Sequence, residues 1–240
     1  MAIRSFFKAI FMLFLITVLL PGCSTEIDNW DYPRSVVSGR FVYKGQPMQL
    51  MSTASDATGS NMLQLHQTDG DWIQGFVKVF AKEDGTFTVN AFDGDYYLTL
   101  TPGRGPWQPN MDTVRFSLNG EKRDLSFEVT PYFWISDFKD SYADSTLTAT
   151  FKLEQIVPTA NLERVVVELG TTVIVDNLSK AYEKSFTTIT AGSHTVTLNL
   201  KELSGVEKAN LRRTGHLFAR IGVKTAGVSD MIYSETVKLQ

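Results

Sequence analysis

Cysteine is almost absent from this chain: Cys23 is the only one in 240 residues, so no internal disulfide can form. Histidine is nearly as scarce. His66, His194 and His216 stand alone, without an H-E-x-x-H run or paired cysteines, which argues against a zinc centre. No G-x-S-x-G elbow occurs, and Gly192-Ser193-His194 reads as a turn before a strand rather than as an activated serine. Phosphate cradles are missing as well, because Gly103-Arg104-Gly105 runs into Pro106, whose lack of an N–H removes a donor from an anion nest. The D-x-[DN]-x-[DN]-G calcium run is also absent. Neither a cofactor nor a metal is expected. Excess positive charge is lacking too: 23 Lys and Arg against 26 Asp and Glu give a formal net charge of -3, which argues against nucleic acid as a partner. No apolar run reaches the roughly 18 residues of a membrane-spanning helix.

What is present begins at the first residues. Arg4 and Lys8 precede an apolar run from Ala9 to Leu20, interrupted only by Thr17, and Leu20-Pro21-Gly22-Cys23 follows. The run has the length of a signal-peptide core. The segment resembles the lipobox of bacterial lipoproteins, with Pro21 where a small residue is usual. That resemblance implies cleavage of residues 1–22, lipidation of Cys23 and anchoring to a membrane. Residues 23–34 are polar and acidic without periodicity, as suits a tether. Glu26, Asp28 and Asp31 resemble the signal for display on the outer face of the outer membrane in lipoproteins of the Bacteroidetes; a plain solvated linker is the alternative.

The remainder is long enough for two domains of about 100 residues each. From Val36 onward, short segments of period two alternate with Gly, Asp, Asn and Pro, the pattern of an all-β sandwich. Strands are expected over Val36 to Tyr43, Met62 to Gln67, Ile73 to Phe80, Thr86 to Phe92 and Asp95 to Leu100. The last two are expected to form a tight hairpin at Asp93-Gly94. A Gly/Pro-rich loop from Thr101 to Asn110 follows, then a second expected hairpin at Asn119-Gly120. The runs Gly39-Arg40-Phe41-Val42-Tyr43-Lys44-Gly45-Gln46-Pro47, Asp84-Gly85-Thr86-Phe87 and Asp93-Gly94-Asp95-Tyr96-Tyr97-Leu98 resemble the regulatory-like domain of carboxypeptidases. This implies a prealbumin-like sandwich over residues 35–130.

Pro131 stops a ladder, and new alternations begin beyond it. Leu147, Ala149, Phe151 and Leu153 alternate with Thr and Lys, which predicts a strand with one buried face. Further strands are expected at Val165 to Leu169, Val173 to Val175, Ser185 to Thr190, Val196 to Leu200, Leu217 to Val223 and Tyr233 to Leu239, with one helical turn within Lys201 to Arg213. Such a set predicts an immunoglobulin- or fibronectin type III-like sandwich over residues 131–240, the fibronectin version being favoured by the missing cysteines.

Ser38-Gly39-Arg40-Phe41-Val42-Tyr43, Phe92-Asp93-Gly94-Asp95-Tyr96, Gly103-Arg104-Gly105-Pro106-Trp107, Val129-Thr130-Pro131-Tyr132-Phe133, Pro158-Thr159-Ala160-Asn161-Leu162-Glu163 and Ile221-Gly222-Val223-Lys224-Thr225 spread a further likeness over both domains. By these runs the chain resembles Bacteroidetes lipoproteins of the family known as domain of unknown function 3823. The resemblance implies a polysaccharide-utilisation setting, with an outer-membrane transporter and its glycan-capturing lipoprotein as partners, and no catalytic residues.

Two acidic pairs, Asp69 with Asp71 and Asp93 with Asp95, flank a glycine in expected turns and read as turn formers rather than as the carboxylates of a glycosidase. Aromatics are the remaining candidates, since sugars stack C–H faces on rings while their hydroxyls bond polar neighbours. Trp107, beside Arg104, Gln108 and Asn110, is the first candidate glycan contact, and Trp72 the second. The structural alternative for Trp107 is that it folds back over the open end of the sandwich and pins its own loop, or packs on the second domain. Tyr132, Phe133 and Trp134 are expected at the domain junction. The expectation is a non-enzymatic surface lipoprotein that binds polysaccharide or oligosaccharide as an accessory of glycan uptake. Its rival is a scaffold that docks on an outer-membrane transporter without touching sugar.

Overall fold

The computed structural model describes residues 32–53, 60–68 and 75–240. The signal segment, Cys23, the tether through Asp31, Trp72 and the turn at Asp69 to Asp71 lie outside the described residues.

The first sandwich comprises β1 (Ser35–Tyr43), β2 (Gln46–Pro47), β3 (Asn61–Gln67), β4 (Val77–Phe80), β5 (Thr86–Ala91), β6 (Gly94–Leu100), β7 (Val114–Leu118) and β8 (Glu121–Glu128). One sheet is centred on β1, which pairs antiparallel with β2 and β5 and parallel with β8. The other runs β4-β3-β6-β7, antiparallel throughout. Alternation drives this pairing. Val37, Phe41, Phe87 and Phe127 of the first sheet and Leu63, Leu65, Leu98 and Phe116 of the second are buried, while their neighbours, Val42 and Met62 excepted, turn outward. Gly39 lets β1 come close to β8, for a Cβ there would fall 2.3 Å from the Leu125 carbonyl oxygen.

Both expected hairpins are sheet-crossing corners instead. At Asp93-Gly94 the chain leaves β5, in the β1 sheet, for β6 in the opposite one; at Asn119-Gly120 it crosses back from β7 to β8. The turn chemistry is used sideways. Asp93 Oδ1 accepts from Ser35 Oγ at 2.5 Å and from the Gly120 N–H at 2.8 Å, and the Val36 N–H donates to the Gly120 carbonyl at 2.9 Å. Both corners are thereby fastened to the start of β1, and the bonds from Ser35 and Gly120 hold the Asp93 carboxyl below its usual value.

The second sandwich comprises β9 (Phe133–Ala143), β10 (Thr146–Gln155), β11 (Leu162–Gly170), β12 (Tyr182–Phe186), β13 (Gly192–Asn199), β14 (Phe218–Thr225), β15 (Met231–Tyr233) and β16 (Val237–Lys238). A sheet ordered β13-β10-β9 faces one ordered β12-β11-β14-β15, with β16 also pairing β14. This is the expected fibronectin-like division. A 3-10 turn at Leu200–Glu202 and a short helix, α1 (Gly205–Leu211), connect β13 to β14; Ser204 and Glu207 close a capping box at the start of α1. Some expectations change. Val173 to Val175 form no strand but part of the loop from β11 to β12, the strand expected at Ser185 to Thr190 lies earlier as β12, and β9 is a full strand that the sequence pattern hides. At β9 the left-handed Asp137, φ 52°, and a register shift against Thr150 to Lys152 disrupt the period of two.

The β12-β11-β14-β15 sheet is covered on both faces. Val165, Val167 and Leu169 are buried, and so are Val166 and Glu168 between them. The face that carries Glu168 and Arg220, directly opposite each other on β11 and β14, meets the first sandwich. Residues Pro33–Gln240 accordingly form one compact unit.

Candidate functional site

Three buried side chains join the sandwiches and frame the site. Arg220, 1% exposed, donates to the carbonyls of Leu50 (2.7 Å) and Glu83 (2.8 Å) in the first sandwich and of Ser234 (2.8 Å) and Val175 (3.3 Å) in the second, and it lies 4.5 Å over the Tyr233 ring. Burial pushes its pKa down to about 10, which leaves it cationic at neutral pH. Asp176 accepts from the Ser52 and Thr53 N–H groups at 2.9 and 2.8 Å and from Thr53 Oγ1 at 2.8 Å. Burial raises its carboxyl, but these donors outweigh that and hold it below its usual value. Asp230 accepts from Arg104 Nε (3.0 Å) and Nη2 (2.7 Å) and from the Gly105 N–H (2.6 Å). Glu168 is different. It is fully buried with neither carboxyl oxygen hydrogen-bonded, Lys180 Nζ is 3.7 Å away, and burial raises its pKa to about 7. All four belong to the joint rather than to an open site.

Beside the joint opens a cleft of about 540 Å³. Its floor is the outward row of β3 and β6, Gln64 and His66 facing Thr99 and Tyr97; one wall is the Thr101 to Thr113 loop, with Pro109, Asn110 and Met111, and the other is Tyr132 with the Gly227 to Ser229 turn of the second sandwich. His66 and Tyr97 stack face to face, centroids 4.6 Å apart and planes 1° from parallel. Arg115, opposite Tyr97 on β7, places its guanidinium carbon 5.1 Å from that ring, and Phe76 lies 5.6 Å from the His66 ring on the far side. Side chains of β3, β6 and β7, with Phe76 just ahead of β4, thus form one row. Its ring faces are taken by neighbours, so solvent meets ring edges: the Tyr97 hydroxyl, the imidazole nitrogens and the guanidinium N–H groups.

Burial lowers the pKa of His66, and Thr99 Oγ1 lies 3.3 Å from its Nε2. A neutral imidazole can both donate and accept there. Around this polar row stand apolar surfaces, notably Pro109 and Met111, the latter 94% exposed. A pre-organised row of hydrogen-bonding edges flanked by apolar lips suits a ligand that alternates hydroxyls with C–H faces.

Among the expected contacts, Arg104, Trp107 and Asn110 all line this cleft, whereas Gln108 is exposed outside it with its N–H bonded to the Thr130 carbonyl at 2.9 Å. Trp107 is no open stacking platform. It is 2% exposed and stacks on Phe41, centroids 4.9 Å apart, so it pins its own loop to the core. Gly105 makes room for it: a Cβ there would lie 2.1 Å from the indole, at a φ of 87°. Arg104 commits two of its donors to Asp230. His66, Tyr97, Thr99 and Arg115 are the residues that sequence reasoning missed. Their signal was the outward phase of strands read only for their apolar phase.

Two joined β-sandwiches with a cleft at their junction define an all-β, two-domain architecture. Family comparison places the chain within it. The chain belongs to the DUF3823 family: the protein of unknown function (DUF3823) N-terminal domain matches residues 35–130, and the domain of unknown function DUF3823_C matches residues 133–238. A DUF3823 protein of Parabacteroides merdae ATCC 43184 is 35% identical with a TM-score of 0.76, over 88% of this chain and 100% of its own. One from Bacteroides ovatus ATCC 8483 is 27% identical with a TM-score of 0.71, over 86% and 100%. A protein of Bacteroides uniformis ATCC 8492, whose given name proposes carbohydrate binding, shares the fold at 18% identity and a TM-score of 0.67, over 87% and 100%. No curated protein matches the chain. Among the described residues no helix is long and apolar enough to cross a membrane.

Proposed function

We propose that this protein is a non-enzymatic glycan-binding lipoprotein, anchored through Cys23 at the outer-membrane surface and working as an accessory of polysaccharide uptake. One observation carries the reading: the cleft sets the edges of Gln64, His66, Tyr97 and Thr99 beside the apolar Pro109 and Met111. Sugar hydroxyls bond to the first set and sugar C–H faces lie on the second. The name of the Bacteroides uniformis relative points the same way. A lipid anchor also lowers the affinity required, because a tethered binder works at high local concentration beside its transporter partners.

A glycan-array screen of the chain from Ser24 onward tests the binding. Specific retention of a neutral oligosaccharide class is expected. A stoichiometric outer-membrane protein partner without any sugar affinity would instead establish the scaffold role. Protease shaving of intact cells tests the location, and protection from added protease would refute surface display.

A further inference from the structure

A second concavity, of about 510 Å³, lies in the second sandwich between α1, the 3-10 turn and the start of β14. It is two-sided. Half-buried Tyr142 and Leu200, floored by the buried Leu203, Leu211 and Leu217, supply an apolar and aromatic side, and Lys201 and Arg212 a cationic one, with the His216 ring beside them. Lys208, one helical turn before Arg212, also lines it and ties the 3-10 turn to α1 by donating to the Lys201 carbonyl at 2.7 Å.

The cations are uncommitted. Among the described residues, the Lys201 ammonium and the Arg212 guanidinium make no ion pair or hydrogen bond, whereas Arg104, Arg123, Lys152, Arg164 and Lys180 all pair with carboxylates. Nearby acids turn to other donors: Glu207 accepts from the Ser204 N–H at 2.7 Å and Glu202 from Asn199 Nδ2 at 3.0 Å. In a chain of net charge -3, this is a local concentration of unpaired positive charge around a concave surface.

We infer that this pocket binds an acidic sugar residue, a hexuronate. Its carboxylate would take the guanidinium fork of Arg212 and the Lys201 ammonium, while its ring C–H face lies on Tyr142 and the leucines. A bare inorganic anion would leave the apolar side unused. A neutral sugar would leave the cations unpaired. The sugar half of the assignment rests on the proposed glycan function; the anion half does not.

Calorimetric titration of the chain with galacturonate and glucuronate oligomers, with neutral oligomers of matched length and with sodium sulfate tests this, using the unaltered protein, Arg212→Gln, Lys201→Gln and Tyr97→Ala. Binding of an acidic oligomer is expected to weaken roughly tenfold or more in Arg212→Gln and to fall with added salt, but to survive Tyr97→Ala. Absence of acidic-oligomer binding, equal binding by Arg212→Gln, or sulfate binding as tight as the oligomer would each overturn the inference. Loss of acidic binding in Tyr97→Ala alone would also overturn it, by moving the ligand to the first cleft. Failure of the neutral oligomers everywhere would count against that first cleft while leaving this pocket standing.

Discussion

Arg104 and Asp230, 126 residues apart, meet in a two-pronged ion pair at 2.7 and 3.0 Å, with side chains only 10% and 3% exposed. The pair fastens the Gly/Pro loop of the first sandwich to the β14–β15 turn of the second, and so sets the width of the cleft between them. Asp230→Ala removes the carboxylate to which the buried guanidinium and the Gly105 N–H donate. The expected cost is about 3 kcal/mol or more, read as a lower denaturant midpoint. Replacing both partners by apolar residues of similar size should cost less than Asp230→Ala alone, because the buried guanidinium then goes together with its carboxylate.

Gly105→Ala tests the anchoring of Trp107. The added methyl would sit 2.1 Å from the indole, at a backbone φ that favours glycine. Either the ring leaves Phe41 or the loop lifts from the core. The expected result is a loss of about 2 kcal/mol or more together with a red-shifted tryptophan emission. An unchanged spectrum and midpoint would show that the indole is not held there.

Glu168 predicts a pH dependence. Its pKa rises from 4.5 to about 7 on folding, so between those values the folded chain binds more protons than the unfolded one and stability falls as pH rises through the window. Glu168→Gln should remove that slope and stabilise the protein above pH 7, by on the order of 3 kcal/mol. Asp176 works in the opposite sense. Its lowered pKa contributes stability above the unfolded value that is lost as pH falls through the folded one. Denaturation midpoints measured from about pH 2 to pH 8 check both limbs.

Much of this fold is legible in single strands. Leu147, Ala149, Phe151 and Leu153 alternate in the sequence and are buried together in the structure. Strand pairing is not legible in the same way. Asp93-Gly94 and Asn119-Gly120 satisfy every local rule for a hairpin, yet whether a tight turn folds a strand back or hands it to the facing sheet depends on β1, whose Ser35 and Val36 bind both corners. The cleft shows the same limit. The outward phase of His66 and Tyr97 can be read from Leu63, Leu65, Leu98 and Leu100, but the stacking that joins them depends on β3 pairing with β6 across the intervening β4 and β5. Glu168 and Arg220 also sit at polar positions in alternating strands, and only the arrival of the first sandwich buries them.

The most direct test of the central claim is the affinity of Tyr97→Ala for a glycan retained by the unaltered protein. Tyr97 stands in the middle of the stacked row and is only half-buried, so the variant should keep the fold and its near-native circular dichroism. The account predicts binding weakened roughly tenfold or more, through lost contact and a loosened His66 and Arg115. Unchanged affinity in a folded Tyr97→Ala protein would contradict it.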